Sequence, residues 1–198
     1  MIVGIVLAAG RATRMGQPKQ LLPFRGETLL GATLAIAASV LDSVVVVIGA
    51  SAEAIIAQVD LHGAEVVMNP DYATGQASSL VVGLRAVAAK PDVAGAVILL
   101  GDQPTVRGEA ITTLCDYYLA HPDVATIVPS YGARRGNPVF FAQSAWPMLV
   151  KSVTGDEGAR QLIARGEPAP LVEIPLPEEW RPQDIDTWDD YSSLIRPS

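Results

Sequence analysis

Short runs of branched aliphatic residues alternate with stretches at helical spacing, and this alternation is what most narrows the folds open to the chain. Strand-like runs fall near 2–7, 44–48, 64–68, 95–100 and 124–129, and helix-like stretches near 28–40, 52–59, 76–89 and 107–120. Such a pattern is the sign of a mainly parallel sheet covered by helices on both faces. Beyond Pro129 the pattern loosens. Strands near 139–141 and 171–175 lie among helical candidates near 144–151, 157–165 and 187–195. No long linker, repeat or low-complexity segment interrupts the order. The expectation is a single domain over 1–198, and 198 residues of which 49% are hydrophobic suffice for a sizeable core.

The first apolar run leads into Leu7-Ala8-Ala9-Gly10-Arg11-Ala12-Thr13-Arg14-Met15-Gly16-Gln17-Pro18-Lys19. Small residues at Ala8, Ala9 and Gly10 let a ligand approach the backbone, and Gly10 and Gly16 can take positive φ. Arg11, Arg14, Lys19 and Arg25 are cations with no acid among them until Glu27, in a chain whose net charge is −7. That overall charge argues against a non-specific nucleic-acid or membrane-surface protein, so a basic segment has a local purpose. Exposed amides beside uncompensated cations suit a polyphosphate. Neither familiar phosphate motif fits. A Walker A loop needs its lysine directly after the second glycine, and a dinucleotide fingerprint needs an acid at the end of the second strand, where this chain has Gly49-Ala50-Ser51. Taken alone, the stretch also fits an ordinary strand-to-helix turn with solvated basic side chains.

Other residue types are less informative. One cysteine excludes an intrachain disulfide framework, and His62 and His121 are too few for a zinc site. Cys115 shares a helical face with Ile111, Leu114, Tyr118 and Leu119 and reads as a core residue. Both histidines read as solvated turn residues, and Trp146, Trp180 and Trp188 as packing residues. Met1-Ile2-Val3-Gly4 shows no basic leader and no apolar run reaches the length of a membrane span, so a soluble, cytoplasmic protein is expected.

Leu7-Ala8-Ala9-Gly10 and Arg14-Met15-Gly16-x-x-Lys19 resemble the start of nucleotidyltransferases with a molybdopterin-guanylyltransferase-like fold, above all the branch that contains molybdopterin cytidylyltransferase. The resemblance continues through Asn69-Pro70, Gly75-Gln76-Ala77-Ser78-Ser79-Leu80, Gly101-Asp102-Gln103-Pro104, Gly136-Asn137-Pro138, Gly155-Asp156-Glu157-Gly158-Ala159-Arg160 and Asp184-Ile185-Asp186-Thr187. It covers almost the whole chain. It implies a three-layer, Rossmann-like α/β nucleotidyltransferase fold with a mixed, mostly parallel sheet. The implied reaction moves CMP from CTP to the phosphate of molybdopterin and releases pyrophosphate, with Mg²⁺ as cofactor and a client molybdoenzyme as a further partner. The same fold with GTP or another phosphorylated acceptor, or a non-transferring nucleotide-binding or redox relative, remains the alternative. Relatives that use GTP typically carry Gly-Gly where this chain has Ala9-Gly10.

Residue roles follow from both sources. Asp102 should emerge beyond the carboxyl end of the strongest strand, where ligands of open parallel sheets sit. A carboxylate beside phosphate oxygens needs a cation between them, which Mg²⁺ supplies; the alternative is a turn cap. Asp184 and Asp186 point to one side of an extended segment. In the family an acid here is the second metal ligand, and Asp186 matches it, although Asp186 could instead cap the last helix and Asp184 could face the site. Arg14 and Lys19 would hold the triphosphate, with Asp102 completing the catalytic set. Leu7, Ala8, Ala9, Gly10, Arg11, Gly75 and Ser79 would hold the nucleotide, Ser79 either reading the base or capping its helix. A second basic loop, with Arg135, Asn137 and Pro138, and the 155–160 segment, with Asp156 and Arg160, would face the acceptor.

Overall fold

A computed structural model describes residues 1–10, 15–156 and 158–196. The elements run in the order β1 (Ile2–Leu7), β2 (Pro23–Phe24), β3 (Glu27–Thr28), α1 (Leu29–Val40), β4 (Ser43–Ile48), α2 (Ala52–Gln58), β5 (Glu65–Met68) and α3 (Gln76–Ala88). They continue with β6 (Gly95–Leu100), α4 (Gly108–Ala120), β7 (Thr126–Tyr131), β8 (Arg134–Arg135), β9 (Val139–Ala142), α5 (Trp146–Ser152), α6 (Arg160–Ala164), β10 (Leu171–Leu176) and α7 (Trp188–Ile195). The main sheet has the order β10-β7-β9-β6-β1-β4-β5, with β8 paired to β7. β1, β4, β5 and β6 are mutually parallel, as are β7 and β10, whereas β9 runs antiparallel to both β6 and β7. The sheet is therefore mixed and mostly parallel, as the resemblance implied.

The continuous apolar runs have a direct cause. Val6, Val46, Ile48 and Leu99 point to the layer built by α1, α2 and α4, while Val3, Ile5, Val45 and Val47 point to the layer built by α3, α5 and α6. A strand covered on both faces has no solvent side to carry polar residues. α3 lies closest. A Cβ on Gly83 would stand 2.5 Å from Ile5 Cγ2 and 3.1 Å from Val47 Cγ2. Gly→Ala inside a helix usually gains up to ~1 kcal/mol. Here overpacking should outweigh that, and Gly83→Ala should lower stability by about 1–2 kcal/mol. A urea melt checks it, through a midpoint below the parent's.

Some elements differ from the sequence reading. The β2–β3 ribbon was not expected; its two-residue strands are too short for periodicity, and Arg25 (φ 51°) and Gly26 (φ 88°) form its left-handed turn. The helix expected over 157–165 is Arg160–Ala164. On α4 the buried stripe is Ile111, Leu114 and Tyr118, and Leu119 is 67% exposed because it lies a further 100° round the helix. α3 buries Ala77, Leu80, Gly83, Leu84 and Val87 and leaves Ala88 exposed. Burial pushes the Cys115 thiol up to about 12, so it stays protonated and packs. Trp146 is buried with its indole N–H donating to the Phe141 carbonyl, Trp180 packs beside Tyr131 and Leu176, and Trp188 packs edge-on to Tyr191. His121 is exposed and stacks on Tyr117, whereas His62 is half-buried beside Glu27. No helix among the described residues is long and apolar enough to cross a membrane.

Candidate active site

The chain leaves β1 toward β4 on one side and returns through β6 on the other, so the sheet order reverses at β1. That is where a crevice opens beyond the carboxyl ends of parallel strands. Leu7 lies level with Leu100, and the Gly101 amide donates to the Leu7 carbonyl at 3.0 Å, so the loops after the two strands are neighbours. Above them is a cleft of about 650 Å³. It gathers Leu7, Ala8, Ala9, Gly10, Lys19, Gly75, Ser79, Asp102, Asp156, Arg160, Asp184 and Asp186 from six separate stretches of sequence. Arg11, Arg14 and Glu157 lie outside the described residues.

One cation stands at the centre of the described charges. Lys19, at the start of a 3-10 turn, places Nζ 2.6 Å from Asp102 Oδ2 and 2.9 Å from Asp186 Oδ1. Burial lowers the lysine pKa, but the two carboxylates more than offset it, and the ammonium is held above its ordinary value. For Asp102 burial is the largest effect and raises the pKa, with Lys19 opposing and Asp184 and Asp186 adding to the rise. Asp186 reaches this point because Ile185, 1% exposed, is anchored among Met15, Leu22, Phe24 and Leu29, and its amide faces the Asp102 carbonyl at 3.3 Å. α7 holds the segment in place: Thr187 and Asp190 form a capping box, and the Tyr191 hydroxyl donates to the Pro23 carbonyl. The helix cap is thus Thr187 and not Asp186. Asp184 accepts from Gln103 Nε2 at 2.6 Å.

The donor set fits a divalent cation. Asp102 from the middle of the chain and Asp186 from near its end both reach the same ammonium, Lys19 Nζ. A hard cation bound through one or two carboxylates, with phosphates and water completing its shell, matches this pair.

Two buried amides shape the cleft; sequence reading passed over Gln20 and met Asn69 only within the Asn69-Pro70 motif. Gln20, 4% exposed, donates from Nε2 to the Ala8 and Gly10 carbonyls at 3.0 and 3.2 Å, tethering the loop after β1. Asn69, 1% exposed, donates to Ser78 and Ser79 at the start of α3. Gly75 precedes that helix with φ 112°, and a Cβ there would meet the Gly155 carbonyl carbon at 2.4 Å, so the 155–156 loop rests on it. The Ala77 amide donates to the Gly155 carbonyl at 3.0 Å.

A second cleft of about 360 Å³ adjoins the first, sharing Leu7, Gln76, Leu100 and Arg160 with it. Its floor is apolar, with Leu80, Ile98, Val128, Val139 and Phe141, and its rim carries Arg135, Asn137, Arg160 and Arg181. Pro138 is buried and lines neither cleft. Arg135 is less isolated than its acid-free neighbourhood in sequence suggests. Glu173 on β10 accepts from its Nε at 2.7 Å, and that hydrogen bond lowers the Glu173 pKa. Arg181 had no signal in the sequence; it reaches the cleft through the turn after β10.

The family model described as MobA-like NTP transferase domain matches residues 4–169. The chain is 31% identical to nicotine blue oxidoreductase of Paenarthrobacter nicotinovorans, over 98% of this chain and 96% of that one. It is 32% identical to the purine catabolism protein PucB of Bacillus subtilis (strain 168), over the same shares. Rv0371C of Mycobacterium tuberculosis H37Rv, solved in complex with manganese, superposes with a TM-score of 0.82 at 35% identity, covering 98% of this chain and 97% of that one. The family model spans most of the sequence, and the chain belongs to the MobA-like NTP transferase family.

Proposed function

We propose that this protein is a cytidylyltransferase that moves CMP from CTP to the phosphate of a molybdopterin-type acceptor within one domain spanning 1–198. The observation that carries the reading is the convergence of Asp102 and Asp186 on the Lys19 ammonium, in a cleft that Ala8–Gly10 also line and beside a second, apolar cleft with a basic rim. The triphosphate would lie in the first cleft. The acceptor's planar heterocycle would lie on the apolar floor of the second, and its phosphate would meet the α-phosphorus between Gln76 and Arg160. An acceptor oxygen forms a bond to the α-phosphorus as the bond to the pyrophosphate oxygen breaks. A phosphate is already ionised at neutral pH and needs no base, so positioning and charge neutralisation carry the catalysis. Mg²⁺ held by Asp102 and Asp186 would neutralise charge on the phosphates. Lys19 would hold the triphosphate, Arg14 being assigned to the same task from the sequence; Ser79 would read the cytosine, and Arg135, Asn137, Asp156 and Arg160 would orient the acceptor. A client molybdoenzyme would receive the product.

One relative bears the name of an oxidoreductase, which makes a redox activity the competing reading. Two carboxylates around a cation serve phosphates better than a hydride, and that favours transfer. A thermal-shift panel separates them. CTP with Mg²⁺ should raise apparent stability most among CTP, GTP, UTP and ATP, by ~3 kcal/mol at a hundred times its Kd, and the shift should collapse without metal. Equal shifts with and without Mg²⁺, or none with any nucleotide, would remove the transferase reading.

A further inference from the structure

Asn69 sits in the turn after β5 with its side chain sealed against the first turn of α3. Its amide orientation is not ambiguous. The Asp71 backbone N–H donates to Oδ1 at 2.9 Å, so that end must be the oxygen and the other the nitrogen. Nδ2 then donates to Ser78 Oγ and to Ser79 Oγ, each at 2.9 Å, which uses both of its protons. An amide nitrogen cannot accept, so each serine must receive from Asn69 and direct its own proton elsewhere. Ser78 gives its proton to the Gly75 or Asp71 carbonyl, at 2.8 and 3.1 Å. Ser79 differs. It is 4% exposed, lines the nucleotide cleft, and among the described residues no acceptor takes its proton. Accepting from Asn69 takes one of the two lone pairs of the Ser79 oxygen and leaves its proton free to donate toward the cleft.

We propose that Asn69 is a positioning residue that keeps the Ser79 proton free to donate to the nucleotide base, so that the cleft favours an acceptor atom of the base over an amino group. This rests on the reading that Ser79 meets the base. For cytosine it assigns the O2 and N3 side as the edge presented to α3. The polarity is set two steps away, by the Asp71 amide. A buried donor that meets another donor leaves both unsatisfied, so a fixed polarity gives stronger discrimination than a hydroxyl free to turn.

Asn69→Asp tests this with almost no change of shape. One carboxylate oxygen can keep the Asp71 N–H while the other accepts the serine protons, which turns Ser79 into an acceptor toward the cleft. Calorimetry with Mg²⁺ would compare CTP with inorganic triphosphate, which has no base. In the parent the ratio of the two affinities measures what the base contributes. Asn69→Asp should lower that ratio about tenfold or more, with inorganic triphosphate bound as in the parent. Asn69→Ala, which buries no charge, should lower it less and serves if the Asp variant does not fold. Ser79→Ala is measured in parallel. If Ser79→Ala leaves the ratio unchanged, Ser79 does not read the base, and the proposal falls with that reading. If Ser79→Ala lowers the ratio while both Asn69 variants keep it, the reading stands and the role of Asn69 is overturned. Equal losses of CTP and triphosphate affinity on changing Asn69 would mark a merely structural residue and also overturn it.

Discussion

Asp102→Asn should fold normally and lose turnover by ~10²-fold or more at saturating metal, the loss typical of one preorganised electrostatic group. The substitution keeps the shape at the end of β6 and removes one of the two charges that converge beside Lys19. Folding should survive because burial, the largest effect on Asp102, works against its charge and raises its pKa, and a neutral amide escapes that opposition. Steady-state kinetics with a thermal melt in parallel checks both halves. Turnover within about threefold of the parent would take Asp102 out of the mechanism.

Lys19→Ala should cost nearly as much, ~2–4 kcal/mol of transition-state stabilisation, because negative charge on the phosphates grows as pyrophosphate leaves. It should also change how the empty protein responds to metal. In the parent the ammonium stands between Asp102 and Asp186, 14% exposed, and satisfies both. Without it the carboxylates repel one another across a partly buried gap. A divalent cation should then raise the melting temperature of Lys19→Ala more than that of the parent, in the absence of nucleotide. A variant with parental turnover, or with no added response to metal, would contradict this role. Arg25→Ala provides the control, since Arg25 lies over the Phe24 ring in the β2–β3 turn and lines neither cleft.

The parts of this account that were legible in the sequence have a common property: their physical signal is local. β1, β4 and β6 announce themselves because burial on both faces leaves no place for a polar residue. Leu7–Gly10 and Asp102 follow from strand ends, and Asp184 with Asp186 from alternation about a single buried Ile185. What was not legible depends on partners far along the chain. Gln103 meets Asp184 across 81 residues, and Arg135 meets Glu173 across 38. Gln20 ties down a loop ten to twelve residues earlier, and nothing about a glutamine beside Lys19 advertises burial. Asn69 could be quoted as part of a motif, but its task depends on the Asp71 amide and two hydroxyls meeting it in space. The β2–β3 ribbon and β8 escaped for a simpler reason, since two residues cannot show a period.

The choice of base is the central claim. Ala9 is 3% exposed and lines the first cleft, and on the proposed reading its methyl would take room that a purine needs. One such group is worth ~1–3 kcal/mol, enough to bias the choice, and hydrogen bonding at Ser79 adds to it. The direct measurement is a competition. Purified protein receives molybdopterin, Mg²⁺ and equal concentrations of CTP and GTP, and mass spectrometry identifies the dinucleotide formed. The cytosine dinucleotide should predominate, with pyrophosphate released in equal amount, and Ala9→Gly should narrow the margin without reversing it. A guanine dinucleotide as the main product would contradict the cytidylyltransferase reading, and neither dinucleotide would contradict transfer to this acceptor.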